Sequence, residues 1–191
     1  MRKGFKSFLK CKTAGFTLAE LLIALAILGV IATFTIPKVL QSQQSSQYNS
    51  AAKEFASMLS GAYQAYLQNN TVTANTQPGN FTPYMNYVKV DSATTIDREP
   101  GAVPATLSCS GAQFLCLRLH NGGMMLAQTD DLDGNFGGTA ATNALWVLFD
   151  PDGKASTIQG VVFFLYVNGR ISSAGAATGN PAVDPPWFSW S

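Results

Sequence analysis

The most pronounced pattern in the chain is a nearly uninterrupted apolar run close to its N-terminus. Between Phe16 and Ile36 the only ionisable side chain is that of Glu20. A helix over this run, at ~1.5 Å per residue, covers about 30 Å, the thickness of a bilayer core. The pattern therefore predicts a membrane-spanning helix. Because a carboxylate inside such a helix costs a few kcal/mol unless it is paired, Glu20 is a candidate functional residue.

A second, weaker apolar pattern follows the first. Between Tyr48 and Tyr66, hydrophobic side chains recur at spacings of three and four residues, and Gln, Ser, Lys and Glu lie between them. This spacing is typical of a helix with one buried stripe. We therefore predict one long helix over about residues 16–69, with a kink or a loosened region near Gly29 and Pro37.

The second half of the chain changes to the shorter period of β-strands. Strand patterns occur at residues 87–90, 114–119, 124–127, 144–149, 161–167 and 170–172. Asn-Gly pairs at 121–122 and 168–169 indicate tight turns, whereas the Pro- and Thr-rich residues 71–106 predict a mostly irregular connection. Together these patterns predict an α+β fold, in which a long N-terminal helix packs on a small antiparallel β-sheet head of four or five strands.

The charges are distributed asymmetrically along the chain. Charged residues make up only 12% of it, about half the usual share of a soluble domain. Residues 1–15 contain five of the twelve basic side chains and no acid, so the remainder has seven basic against eleven acidic side chains, a formal balance of −4. A basic segment beside an apolar helix stays in the cytoplasm, so the rest should lie on the other side. The negative balance of that part argues against a broad nucleic-acid-binding surface.

The order of basic residues, glycine and apolar run differs from that of a secretory signal. A secretory signal is cut after its apolar region, which is then lost, and no small-x-small site followed by a polar start comes directly after Ile36. Here Gly15 precedes the apolar run instead. An ordinary uncut membrane anchor is the simpler alternative, but it leaves the carboxylate of Glu20 without an explanation.

The stretch Lys12-Thr-Ala-Gly-Phe-Thr-Leu-Ala-Glu20 resembles the N-terminal signature of type IV pilins and type II secretion pseudopilins. The resemblance implies that a prepilin peptidase cuts after Gly15 and that Phe16 becomes the N-methylated first residue. Glu20 is then the fifth residue, the family's assembly glutamate. Gly29 and Pro37 fall at positions fourteen and twenty-two, where many pilins carry the same residue types. The segment around LFDPDGKAS and GVVFFLYVNGRI also looks like the late sheet of pilin-like heads.

The same resemblance implies how the chain is organised and where it works. The expected segments are a removed leader (1–15), a transmembrane and filament-core helix (16–37), its amphipathic continuation (38–70), an irregular connection (71–106), the sheet head (107–175) and an aromatic tail (176–191). We expect a single-pass precursor in the bacterial inner membrane, with its head outside the cytoplasm, that later joins a pilus or a pseudopilus. The implied partners are the prepilin peptidase, identical or related subunits, the inner-membrane assembly platform and, before assembly, membrane lipid.

Three functions remain open at this point. The expected function is a structural subunit of a type IV pilus-like filament. The first alternative is a type II secretion pseudopilin that drives protein export, and the second is a membrane-anchored exported binding domain with an uncut N-terminus. No enzymatic activity is expected, because His120 is the only histidine and no catalytic motif is present.

The cysteines suggest one covalent link in the head. Cys11 lies in the leader, whereas Cys109 and Cys116 would remain in a domain outside the cytoplasm. An even pair in an exported domain favours a short-loop disulfide over two buried thiols. A zinc site is unfavourable because the pair lacks further ligands.

Two loops carry acidic residues shortly before a glycine. The candidate cation ligands are Asp130, Asp131 and Asp133 in one loop and Asp150 and Asp152 in the other. Carboxylates in this arrangement suit calcium, but neither loop has the closing glutamate of a calcium loop, and Asx-turns use the same residues without a metal. We therefore expect that no cofactor is required and that calcium is the one candidate.

The last eight residues contain three aromatic side chains, Trp187, Phe188 and Trp190. The simpler interpretation is that Trp187 or Phe188 covers the edge of the sheet. The alternative is a contact with a neighbouring subunit or an adhesive surface, since aromatic side chains anchor interfaces.

Overall fold

The structure is a computed structural model. It describes residues 15–73, 75–111, 113–129, 144–156, 158–180 and 183–190. The chain divides into two compact units, one ending at Gln43 and the other beginning at Gln44.

The first element is α1 (Leu18–Leu67), a helix of 50 residues. It begins two residues later than predicted, because Thr17 caps it, and it ends close to the predicted stop. The helix runs without interruption through Gly29 and Pro37. Among the described residues, α1 is the one helix that is long and apolar enough to cross a membrane, judged by length and composition.

The second unit is built around an antiparallel sheet. Its strands and those of a small second sheet are β1 (Tyr87–Val90), β2 (Thr95–Asp97), β3 (Thr106–Ser108), β4 (Phe114–Leu119), β5 (Met124–Gln128), β6 (Ala144–Asp150), β7 (Val161–Tyr166) and β8 (Ile171–Ser173). The main sheet has the order β1-β4-β5-β6-β7-β8, and β2 pairs with β3. The α+β, pilin-like architecture expected from the sequence is therefore confirmed.

The sheet is larger than expected. The sequence predicted four or five strands beginning after residue 107, whereas the main sheet has six because β1 pairs with β4. The expected irregular connection over 71–106 also contains β2, the start of β3 and the short helix α2 (Pro78–Phe81). The strands β2 and β3 have three residues each and α2 has four. Their periodic patterns are therefore too short to recognise in the sequence.

The second part of α1 packs on one face of the main sheet. The ring of Phe55 stacks on that of Phe149 with 4.9 Å between centroids and lies 5.8 Å from that of Phe163. About two turns further along, the hydroxyl of Tyr63 donates to the carbonyl of Val167 at 2.7 Å. The predicted apolar stripe of this helix segment is thus the core of the head, as its spacing indicated.

The opposite face of the main sheet is also apolar, and the β2–β3 hairpin covers part of it. Ile96 of β2 is fully buried against Leu126, Leu148 and Val162. The disulfide between Cys109 and Cys116 joins the end of β3 to β4, so it links the small sheet to the main one. The middle of the sheet is therefore buried on both faces, which explains most of the continuous apolar runs of β6 and β7, whereas Trp146 and Phe164 stay half-buried.

The C-terminal tail packs on its own domain. Phe188 is 8% exposed and its ring lies 5.6 Å from that of Phe163 in an edge-on arrangement. The indole N–H of Trp187 donates to the carbonyl of Gln159 at 3.0 Å. This placement agrees with the simpler of the two expectations, although Phe188 lies in the core between helix and sheet rather than at the sheet edge. Trp190 remains 43% exposed.

Candidate functional site

The expected cut lies immediately before α1. Gly15, Phe16 and Thr17 are not helical, and Phe16 is 82% exposed. The peptide bond between Gly15 and Phe16 is therefore outside the hydrogen-bond ladder of the helix, where a peptidase could bind it without unwinding a turn. The rest of the expected leader, including Cys11, lies outside the described residues.

Glu20 forms a capping box with Thr17. One carboxylate oxygen of Glu20, Oε2, accepts hydrogen bonds from the backbone N–H and from the hydroxyl of Thr17, both at 2.8 Å. In return the backbone N–H of Glu20 donates to the Thr17 hydroxyl at 3.3 Å. This reciprocal pair is the pattern that stabilises helix N-termini, and it explains why α1 begins at Leu18.

The carboxylate of Glu20 is only partly satisfied by this box. Among the described residues, its second oxygen, Oε1, accepts no hydrogen bond. Every large apolar side chain around it, from Leu18 to Ile36, is more than half exposed and so makes little contact within the chain. One carboxylate oxygen of Glu20 is thus left available on an otherwise apolar segment of the helix.

The structure assembles one acidic cluster in the head. Asp150 at the end of β6, Asp152 in the following turn and Asp97 of β2 bring their carboxylate oxygens within 4.8 Å of one another. Asp150 is fully buried and accepts backbone hydrogen bonds from Asp97 and Asp152, each at 3.2 Å. Asp97 in turn accepts the backbone N–H of Ser156 at 2.6 Å. Asp130, Asp131 and Asp133, the other candidate ligands, lie outside the described residues.

Sequence reasoning missed Asp97 as a member of this cluster. It lies 53 residues before Asp150, in a three-residue strand that the pattern did not reveal. Only the pairing of β2 with β3, and the packing of that hairpin on the main sheet, brings it to Asp150. The one sequence signal was an Asp within the short alternating segment Thr95-Ile96-Asp97.

The cluster has an unusual electrostatic state. Burial, together with the nearby Asp152 carboxylate, raises the pKa of Asp150 to about 8. A carboxyl group with such a pKa holds its proton at neutral pH unless a cation replaces it. The three residues could therefore be neutralised by a proton or by a hard divalent cation, which would need three or more further oxygen ligands if it were calcium.

The turns that support the cluster are closely packed. Gly153 has a positive φ of 64°, and a Cβ atom there would lie 2.7 Å from the carbonyl oxygen of Gly122. The two turns, β4–β5 and β6–β7, consequently touch at a place where only glycine fits. Gly122 itself belongs to the Asn-Gly turn that the sequence predicted.

Comparison with known proteins bears on the N-terminal site alone. Residues 10–36 match the family described as the prokaryotic N-terminal methylation motif. The match includes Gly15, Phe16, Glu20 and Gly29, and it stops one residue before Pro37. No curated protein and no solved structure matches the chain significantly. The chain therefore carries, at the start of a pilin-like α+β fold, the signature of type IV pilins and pseudopilins.

Proposed function

We propose that the chain is a prepilin that is cut after Gly15, N-methylated on Phe16 and assembled into a type IV pilus-like filament. The observation that carries this proposal is the methylation motif at residues 10–36, placed on a helix whose apolar side chains are uncovered. The proposal assigns the chain a structural role and no catalytic activity. A hydrolase activity of the purified protein that tracks with the folded head would contradict that part of it.

The exposed apolar side chains of α1 support a subunit that moves from a lipid bilayer into a filament. Fourteen large apolar side chains between Phe16 and Leu40 are each at least 48% exposed. Leaving side chains of this size in water costs roughly 1.5–3 kcal/mol each. Lipid covers them in the precursor, and the corresponding helices of other subunits cover them in the filament.

Glu20 supports the assembly step of the proposal. Cleavage creates an ammonium group on Phe16, and methylation keeps its positive charge. Inside the packed helices, the free Oε1 of Glu20 in one subunit can accept a hydrogen bond from the Phe16 ammonium group of another subunit. A buried ion pair adds little net stability compared with an apolar contact, but an unpaired partner costs several kcal/mol, so the pair selects one axial register.

The experiment that tests processing is mass spectrometry of the N-terminal peptide in sheared surface filaments and in the membrane fraction. A peptide that starts at methylated Phe16 and is abundant in sheared material supports a pilus subunit. The same peptide confined to membranes supports the pseudopilin alternative or a minor pilin. An intact leader in both fractions, while the peptidase still processes other substrates, overturns the proposal. A Gly15→Val variant should keep its leader, whereas the control Gly29→Ala should be cut normally, because a Cβ at either position meets no atom within 4 Å apart from the adjacent residues and the local helix backbone.

The assembly role is tested with Glu20→Gln. The amide oxygen can still accept from Thr17, so the helix cap is retained while the charge is lost. We expect normal insertion and cleavage, together with a drop of at least about tenfold in filament yield, because the unpaired ammonium costs a few kcal/mol per subunit. Unchanged filament yield in this variant would refute the register argument.

A further inference from the structure

The sheet face opposite α1 carries a row of aromatic side chains. Phe114 pairs with Gln128, and Trp146 pairs with Phe164, across neighbouring strands. Because Ala127 pairs with Val147, Gln128 and Trp146 are neighbours in the same row, and side chains of one row point to one face. The row therefore crosses β4, β5, β6 and β7, and its members are all partly exposed.

The β2–β3 hairpin covers this row only in part. Ile96 of the hairpin packs further along the same face, whereas Leu107 and Arg98 stand beside the row and form a wall. The result is a cleft of about 360 Å³. A cleft of this size lies within the range of small-ligand sites.

The cleft contains polar groups without partners. Among the described residues, the indole N–H of Trp146 and the carboxamide of Gln128 make no hydrogen bond, whereas the indole N–H of Trp187 does. Because Trp146 and Gln128 are half-buried, their polar groups are accessible and can bind the polar groups of a ligand in place of water.

The described residues that line the cleft carry no net positive charge. The guanidinium of Arg98 binds the carboxylate of Glu99 at 2.9 Å, and both side chains are largely buried. An anionic ligand would have to compete with this ion pair. The formal balance of −4 outside the leader disfavours a polyanion further.

We propose that this cleft binds a neutral saccharide. The C–H face of a pyranose ring is apolar and flat, so it can lie against the rings of Trp146, Phe164 and Phe114. Its hydroxyl groups both donate and accept, so they can satisfy the indole N–H of Trp146 and the carboxamide of Gln128. Single-stranded nucleic acid also stacks on aromatic rows, but it requires a positively charged groove, which this cleft lacks.

The test uses the full processed chain in a detergent that has no sugar headgroup. Binding of cellotriose, maltotriose and fully N-acetylated chitotriose is measured by ligand-observed NMR titration, and the oligonucleotide dT10 serves as the anionic comparison. We expect at least one trisaccharide to bind and dT10 not to bind. Gln128→Ala and Trp146→Phe, which each remove a hydrogen-bonding group, should weaken that binding about three- to tenfold.

The control variant is Trp187→Phe, which removes an indole N–H elsewhere in the head and should leave saccharide binding unchanged. Equal melting temperatures of Gln128→Ala and the unmodified chain show that the fold is intact. No binding of any trisaccharide up to about 10 mM overturns the proposal, as does binding that neither cleft substitution weakens. Binding of dT10 in place of the saccharides overturns it as well.

Discussion

Asp150 makes the stability of the head depend on pH in an unusual direction. An Asp in an unfolded chain titrates near ~3.9, whereas burial raises the pKa of folded Asp150 to about 8. The folded state therefore holds this proton more tightly than the unfolded state does. The resulting stabilisation is present below pH 4 and is lost as the pH rises through about 8. At pH 7 the loss amounts to roughly 4 kcal/mol, at ~1.4 kcal/mol per pH unit above the unfolded pKa.

Another buried carboxyl titrates in a different window. The backbone hydrogen bond from Ala93 is the main cause that holds the pKa of Asp91 at about 2. Its contribution to stability is therefore present above pH 4 and is lost only as the pH falls towards 2. A titration between pH 4 and 8.5 consequently reports on Asp150 and leaves Asp91 ionised.

The decisive comparison is between the unmodified chain and Asp150→Asn, by thermal unfolding in detergent with EDTA from pH 4 to 8.5. The amide is neutral and accepts only one of the two backbone hydrogen bonds, so the variant should be less stable at pH 4 by about 1–3 kcal/mol. Its melting temperature should then stay nearly constant, whereas that of the unmodified chain falls with pH. Glu54→Gln, which changes an exposed acid on α1, should retain the fall. Parallel pH profiles of Asp150→Asn and the unmodified chain would refute the reasoning.

The same titration, repeated with calcium in place of EDTA, examines calcium binding. A bound cation would replace the proton, so about 1 mM calcium would raise the stability of the unmodified chain at pH 8 and leave it unchanged at pH 4. Asp150→Asn would lose most of that gain. Without a gain at pH 8, the cluster takes up a proton only.

Three further predictions concern the packing of the head. Replacing both Cys109 and Cys116 by Ser should lower the free energy of unfolding by about 2.5 kcal/mol, the chain-entropy value for so short a loop, as measured by denaturant titration against the unmodified chain with its disulfide intact. Tyr63→Phe removes the hydroxyl that donates to Val167 and should cost about 1–2 kcal/mol in the same assay. Phe188→Ala should cost about 3–5 kcal/mol, whereas Trp190→Ala, at an exposed position, should cost much less; equal losses would contradict the observed burial.

Long and strongly periodic elements could be predicted from the sequence. The strands at 114–119 and 144–149 were placed nearly to the residue, because five to seven alternating or fully apolar positions specify a strand. Both turns were predicted from their Asn-Gly pairs. The structure agrees, since Gly122 and Gly169 have positive φ values of 89° and 81°, which glycine adopts at little cost. The helix was predicted to within two residues at each end.

The parts that could not be predicted depend on contacts between distant segments. The strand β2 has three residues, and the packing of its hairpin on the sheet, not its own sequence, buries Ile96. For the same reason Asp97 could not be assigned to the cluster with Asp150. The capping box could have been predicted from the sequence, since Thr17 and Glu20 have its spacing. From the sequence, Glu20 was assigned a role in assembly and none in the helix cap.

Under the proposed function, the local hydrogen bonds of Glu20 bear on how a subunit could leave the membrane. Lipid tails are as apolar as Leu and Ile side chains, so moving α1 from lipid to a bundle of similar helices gains little from the hydrophobic effect. The transfer must therefore be directed by packing and by polar groups. Thr17 already satisfies Oε2 of Glu20, which would lower the cost of holding this carboxylate among lipid. Oε1 stays available, so an ammonium group of another subunit can bind it while the helix cap is kept. The same capping box that starts the helix thus keeps the carboxylate ready to pair.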